Sequence, residues 1–279
     1  MERLLTIGYS PCPNDTFIFY GLIRGKVPVP GIAFRERLED VETLNRMALE
    51  GALDITKVSY AALGHVRERY ALLRSGGALG RGCGPLVVAK PGAARKDLRS
   101  GTIAIPGKLT TAHLLLRLYD PLLTDFAVMP FDRIMQAVAE GSVAAGLIIH
   151  ESRFTYPIYN LEKILDLGEW WETYSGLPVP LGGILGNRSL GRETLLQVES
   201  ALRESIKYAR ANAAEVMEYC RIHSQEMDEK VMQCHIDLYV NDFSVDLGEE
   251  GIRAVRRLFA EAEGRGIIPR AEVPLFAAE

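Results

Sequence analysis

The chain has 279 residues, 48% hydrophobic and 24% charged, enough for one large domain or two modest lobes around a sizeable core. Its 32 basic and 36 acidic side chains leave a net charge of −4 and are scattered, so no clustered basic face is available to neutralise nucleic-acid phosphates. No stretch reaches the roughly 20 apolar residues of a membrane helix, and the opening residues lack the basic, apolar and cleavable parts of a secretory signal, so the chain reads as cytoplasmic.

In chain order, residues 4–9 predict a strand and 15–24 a helix opened by the capping cluster Asn14-Asp15-Thr16. Residues 32–38 predict a second strand. Asp40 is then an N-cap for a helix with Val41, Leu44, Met47 and Ala48 on one face. A strand over 54–58 leads to a short helix from about Tyr60. Strands over 70–75 and 85–89 are separated by a glycine-rich link, 76–84. After the linker 91–96 the pattern restarts: strand 102–105, helix from Thr110, strand 126–129, helix 132–140, strand 144–149. The turn-rich stretch 175–180 closes this unit, and helical periodicity follows over 192–210, 213–222, 226–240 and 249–263.

This alternation predicts an α/β fold with largely parallel sheets covered by helices on both faces. Two linker crossings divide it into two lobes around a cleft. Residues 1–95 form the N-terminal part of the first lobe, 96–178 the second, and 179–279 return to the first with C-terminal helices. Ligands in such folds bind at strand carboxyl ends and between lobes.

The four cysteines, 12, 83, 220 and 234, show no paired spacing. A zinc set of Cys220, His223, Cys234 and His235 fails on geometry, because adjacent residues such as Cys234 and His235 splay apart on a helix. Cys12 has no identifiable basic neighbour to activate it as a nucleophile.

Three stretches carry chemistry-bearing groups. After the strand ending at Ile105, Pro106-Gly107-Lys108-Leu109 turns into Thr110 and Thr111 at a helix start, either a simple cap or a site for a carboxylate or phosphate. His150 follows a buried strand, either ordering a loop or accepting a proton near neutral pH. Lys57 and Ser59 end another strand, either a surface lysine beside an N-cap or an anion anchor. His65, His113, His223 and His235 sit in helical patterns and weigh less.

The strings Ser10-Pro11-Cys12-Pro13-Asn14-Asp15-Thr16-Phe17, Glu39-Asp40-Val41-Glu42-Thr43-Leu44-Asn45 and His150-Glu151-Ser152-Arg153-Phe154-Thr155-Tyr156 resemble the 1,4-dihydroxy-6-naphthoate synthase family, with a likeness running nearly end to end. The resemblance implies the two-lobed fold of type II periplasmic solute-binding proteins. It also implies a lyase of the futalosine route to menaquinone, converting cyclic dehypoxanthinylfutalosine to 1,4-dihydroxy-6-naphthoate and dihydroxyacetone. The family's proton acceptor matches His150, and its substrate-contacting stretches match Lys57-Val58-Ser59 and Thr110-Thr111, with no departure from the family pattern at these positions. Neither metal nor organic cofactor is implied, and the partner is a small-molecule carboxylate rather than nucleic acid or membrane.

Asn14, Asp40, Arg153 and Tyr156 are motif residues that either line the cleft or order its loops. A non-catalytic solute-binding protein of the same fold is the rival reading, and a chorismate-dehydrating enzyme of the same pathway a third. The sequence leaves the oligomeric state open. The apolar face of 249–263 (Ile252, Val255, Leu258, Phe259, Ala262) fits packing on the first lobe.

Overall fold

In the computed structural model, which describes residues 2–224 and 228–279, β-branched and aliphatic runs pair into two separate sheets. The elements in order are β1 (Arg3–Tyr9), α1 (Pro13–Ile23), β2 (Ile32–Leu38), α2 (Val41–Glu50), β3 (Ile55–Ser59), α3 (Tyr60–Val66), β4 (Tyr70–Leu72), β5 (Ala78–Gly80) and β6 (Leu86–Ala89). Then come β7 (Ile103–Ile105), α4 (Thr111–Tyr119), β8 (Phe126–Val128), α5 (Phe131–Glu140), β9 (Ala145–Ile148), α6 (Ser152–Thr155), β10 (Glu162–Asp166) and α7 (Leu167–Ser175). The chain closes with β11 (Val179–Asn187), α8 (Arg192–Ala211), α9 (Ala213–His223), α10 (Glu229–Tyr239), α11 (Asp242–Val245) and α12 (Gly248–Gly264).

The first sheet runs β2-β1-β3-β11-β4, with β5 also paired to β11; the second runs β10-β6-β9-β7-β8. Both are mixed rather than largely parallel. β1 is parallel to β2 and β3, whereas β11 is antiparallel to β3, β4 and β5. β7 is parallel to β8 and β9, whereas β6 is antiparallel to β9 and β10. β6 falls within the stretch 1–95 assigned to the first lobe, yet it pairs into the second sheet, so the passage between sheets lies in the turn just before it.

Strand periodicity sorts the core. Leu86 and Val88 face α5 with Ile134, Met135 and Val138, while Val87 and Ala89 face the opposite side with Leu115, Leu147 and Trp171. In the first sheet, Leu5, Ile7 and Ile184 pack under α1 and α8, and Val58, Leu72 and Leu185 pack toward α2, α3 and α12. One apolar cluster runs through both lobes, from Leu44 and Val58 to Leu115 and Leu147, and forms the floor between them. On α12, Val255, Leu258, Phe259 and Ala262 are buried and Ile252 packs beside them, so this face is spent within the chain.

Several elements depart from the sequence expectation. α1 begins two residues early, at Pro13, and Cys12 caps it without a side-chain bond, because proline at the first helical position already suits the helix start. That releases Asn14 and Asp15 from capping. The glycine-rich link contains β5, and the turn-rich stretch before 180 opens into β11. Prolines and glycines masked this central strand, but here they have a packing reason: a Cβ on Gly182 would stand 2.8 Å from the Val58 carbonyl oxygen, and the register shifts between Pro180 and Gly182. Of the helix expected over 226–240, α10 begins at Glu229; residues 226 and 227 lie outside the described residues. Among the described residues no helix is long and apolar enough to cross a membrane.

Candidate active site

The carboxyl ends of β1, β3, β7 and β9 converge on one cavity between the sheets, with β11 and α10 completing its wall. It encloses about 730 Å³, its open mouth included, within the range of small-molecule sites. Asn14, Lys57, Val58, Ser59, Thr110, Thr111 and His150, separated by as many as 136 positions in sequence, all line it.

Lys57 is no surface lysine. Its Nζ lies 2.5 Å from Asp15 Oδ1, and both side chains are only 7% exposed. Asp15 Oδ2 accepts from the Ser10 hydroxyl (2.8 Å) and the Ser10 N–H (3.2 Å), and Asn14 Nδ2 donates to Asp15 Oδ1 (2.8 Å). Burying both charges is tolerable only because the pair is close and the carboxylate is further hydrogen-bonded. Ser59 does not cap α3 either. Its N–H donates to Asn45 Oδ1 (2.9 Å) and its hydroxyl oxygen accepts from Asn45 Nδ2 (3.2 Å), which leaves the hydroxyl hydrogen for a ligand.

The threonines are differently employed. Thr110 caps α4, accepting from the His113 N–H (3.2 Å) and donating to the Gly107 carbonyl (2.8 Å). Thr111 donates to the Leu181 carbonyl on β11 (2.6 Å) and accepts from the Ala61 N–H (3.3 Å). Their hydroxyl hydrogens are therefore committed to the protein. What this corner offers a ligand is the backbone of the first turn of α4, where N–H groups lack intrahelical acceptors and the dipole favours an anion.

His150 follows β9 with φ +55°, a left-handed conformation rare outside glycine and concentrated at functional sites. Its ring stacks on His235 (centroids 6.2 Å, planes 10° apart) and its Nδ1 meets Cys12 Sγ at 3.6 Å. Burial holds the imidazole below its ordinary pKa, partly countered by Glu151 and Asp15, so it is a neutral base at neutral pH. Cys12 thus does have a basic neighbour. Burial, reinforced by the Glu151 charge, nevertheless pushes its thiol well up, keeping it protonated and a poor nucleophile.

Among the described residues, Cys12, His150 and Glu151 bring possible metal-ligand atoms within 4.8 Å of one another. The set of Cys220, His223, Cys234 and His235 does not converge: Cys220 is buried against the Pro13 carbonyl, whereas Cys234 is exposed.

Asp40 lines an adjoining cleft on the far side of His150 and caps α2 through the Glu42 and Thr43 N–H groups. Arg153 and Tyr156 line neither space. Arg153 reaches away, donating to the Gly84 carbonyl and pairing with Asp166 at 3.2 Å, and so ties the passage between sheets to β10. Tyr156 packs against the α5 side of the second sheet. His235 carried little weight in the sequence, yet from α10 it reaches the cavity wall with 1% exposure. Its only signal was a polar residue on the buried face of an amphipathic helix, beside Met232, Ile236 and Tyr239.

Comparison with known proteins places this geometry in context. A family model described as menaquinone biosynthesis matches residues 5–264. A 1,4-dihydroxy-6-naphthoate synthase of Thermus thermophilus is 55% identical, covering 98% of each chain, and one of Streptomyces coelicolor is 48% identical over 95% of each. A crystal structure from Archaeoglobus fulgidus, 37% identical, superposes with a TM-score of 0.88 over 95% of this chain and 98% of that one. The alkanesulfonate-binding protein of Xanthomonas axonopodis, 16% identical, aligns over 97% of this chain and 96% of that one at TM-score 0.72, which shows the periplasmic-binding-protein-like fold.

Proposed function

The chain belongs to the menaquinone-biosynthesis family of 1,4-dihydroxy-6-naphthoate synthases, and from that premise we propose that it is a cytoplasmic lyase of the futalosine route, acting without metal or organic cofactor. Its substrate in this reading is cyclic dehypoxanthinylfutalosine, cleaved to 1,4-dihydroxy-6-naphthoate and dihydroxyacetone. The observation that carries it is the convergence of one neutral imidazole, His150, with a buried cation, a free hydroxyl and a helix N-terminus in one cavity between two lobes.

The chemistry asks for those parts. Opening the sugar ring exposes a carbonyl, and His150 removes the proton beside it. Cleavage of the carbon–carbon bond is then drawn forward by aromatisation of the bicycle. The first turn of α4 and Ser59 hold anionic and hydroxyl oxygens, with Lys57 supplying positive charge from the first lobe. Closure of the lobes excludes water from the reactive intermediate.

Metal-stripped protein incubated with cyclic dehypoxanthinylfutalosine tests this, with naphthoate followed by absorbance and mass. Chelator-resistant turnover is expected. Tight binding without turnover would favour the solute-binding reading suggested by the fold's other members.

A further inference from the structure

His235 is held in one tautomer by a chain of buried groups. Lys57 pairs with Asp15; the Asp15 carboxylate takes the Asn14 Nδ2 hydrogen (2.8 Å), which turns the Asn14 carbonyl oxygen toward His235 Nε2 (2.9 Å). A flipped Asn14 amide would set two oxygens against each other at Asp15, so Nε2 carries the hydrogen and Nδ1 bears a lone pair. That Nδ1 is buried and without a partner, and it faces the equally unpartnered Glu151 Oε2 at 4.0 Å. His235 lines the cavity and Glu151 the adjoining cleft, and the two buried acceptors confronting each other between them are unsatisfied until something with hydroxyl hydrogens enters. A ring-opened sugar is such a donor.

Resting on the lyase reading above, we propose that His235 is a second catalytic residue, whose Nδ1 takes the hydroxyl proton released as the carbon–carbon bond breaks, while His150 handles the carbon acid. Ring opening frees a hydroxyl on the spiro carbon that joined sugar and bicycle and leaves an aldehyde at the end of a three-carbon arm. His150 removes the hydrogen beside the aldehyde and a proton returns to the aldehyde carbon, which moves the carbonyl to the middle carbon, beta to that hydroxyl. The O–H bond on the former spiro carbon breaks and its proton goes to Nδ1. The oxygen's electron pair becomes the C=O of the bicycle, and the C–C pair leaves with the three-carbon fragment as its enolate. The imidazolium then protonates that enolate carbon, giving dihydroxyacetone and restoring His235. The stacked rings of His150 and His235 bring the two bases to one substrate face, and burial, reinforced by the Lys57 charge, keeps His235 neutral beforehand.

The test pairs His235→Gln with His150→Gln. Glutamine at 235 keeps a donor for Asn14 but has no basic nitrogen. We expect His235→Gln to lower kcat at least 100-fold with KM within about threefold, and still to exchange the substrate's acidic carbon hydrogen for deuterium from solvent. His150→Gln is expected to lose exchange and cleavage together. Turnover of His235→Gln within threefold of wild type, or joint loss of exchange and cleavage, would overturn the assignment. If the wild type itself fails to turn over, the substrate reading falls instead. The tautomer then still decides for or against His235: ¹⁵N NMR of the unliganded protein is expected to show a bare Nδ1 and a protonated Nε2, and a protonated Nδ1 would sink the proposal.

Discussion

Lys57 Nζ and Asp15 Oδ1 meet at 2.5 Å in the cavity wall, joining the middle of β3 to the first turn of α1. The same carboxylate also orients Asn14 and through it His235. Removing either partner strands a buried charge. Lys57→Met and Asp15→Asn should each cost about 3–5 kcal/mol. The check is the urea midpoint at constant slope, and a loss below about 1 kcal/mol would mean that water reaches the pair.

His150→Gln should leave the fold intact and lower kcat about 10²–10⁴-fold, as expected for loss of a general base. Because burial holds the wild-type imidazole below 6.5, kcat/KM should remain on its plateau as pH falls to that value and decline only on its acid side. A decline centred above 6.5 would point to another base.

Thermal stability should follow the buried imidazoles. His113, His150 and His235 all have folded pKa values lowered from 6.5, chiefly by burial. The unfolded chain therefore binds protons that the native one refuses. Stability is complete above about 6.5 and is lost as pH falls below it. Calorimetry at stepwise lower pH should show Tm falling in that window, and His235→Gln should shallow the slope.

The two threonines should separate. Thr110→Ala removes the α4 cap and should cost about 1 kcal/mol with a modest loss of affinity, since the backbone N–H groups remain. Thr111→Val removes the bond to the Leu181 carbonyl and should raise KM more than it lowers stability, because β11 carries Leu181 and Gly182 in the cavity wall. Equal effects on both readouts would refute the separation.

What the sequence discloses here depends on how local the cause is. α2 is legible because Asp40 caps it and its apolar positions repeat on one face, and His150 stands out at the end of a strand. β11 is not, because its glycines answer to Val58, Tyr60 and Leu72, residues more than a hundred positions away. The same holds within the site. Thr111 and Asn14 are visible as polar residues at helix starts and Lys57 as a charge within a strand, but their partners arrive through tertiary contact. Arg153 shares a string with His150 yet points to the passage between sheets, because His150 sits at a left-handed kink before α6 and Arg153 within that helix. His235 was hidden by its own burial.

The placement of β11 also sets an order of assembly. Every strand of the second sheet lies within residues 86–166, whereas the strand seated between β3 and β4 comes only at 179–187. During synthesis the second sheet can close while β3 still presents an unpaired edge, the kind of surface that invites wrong partners. The earlier-made half of the molecule is thus completed last, and the same insertion delivers Leu181 and Gly182 to the cavity. A nascent chain consequently gains its binding site in the step that seals its most exposed edge.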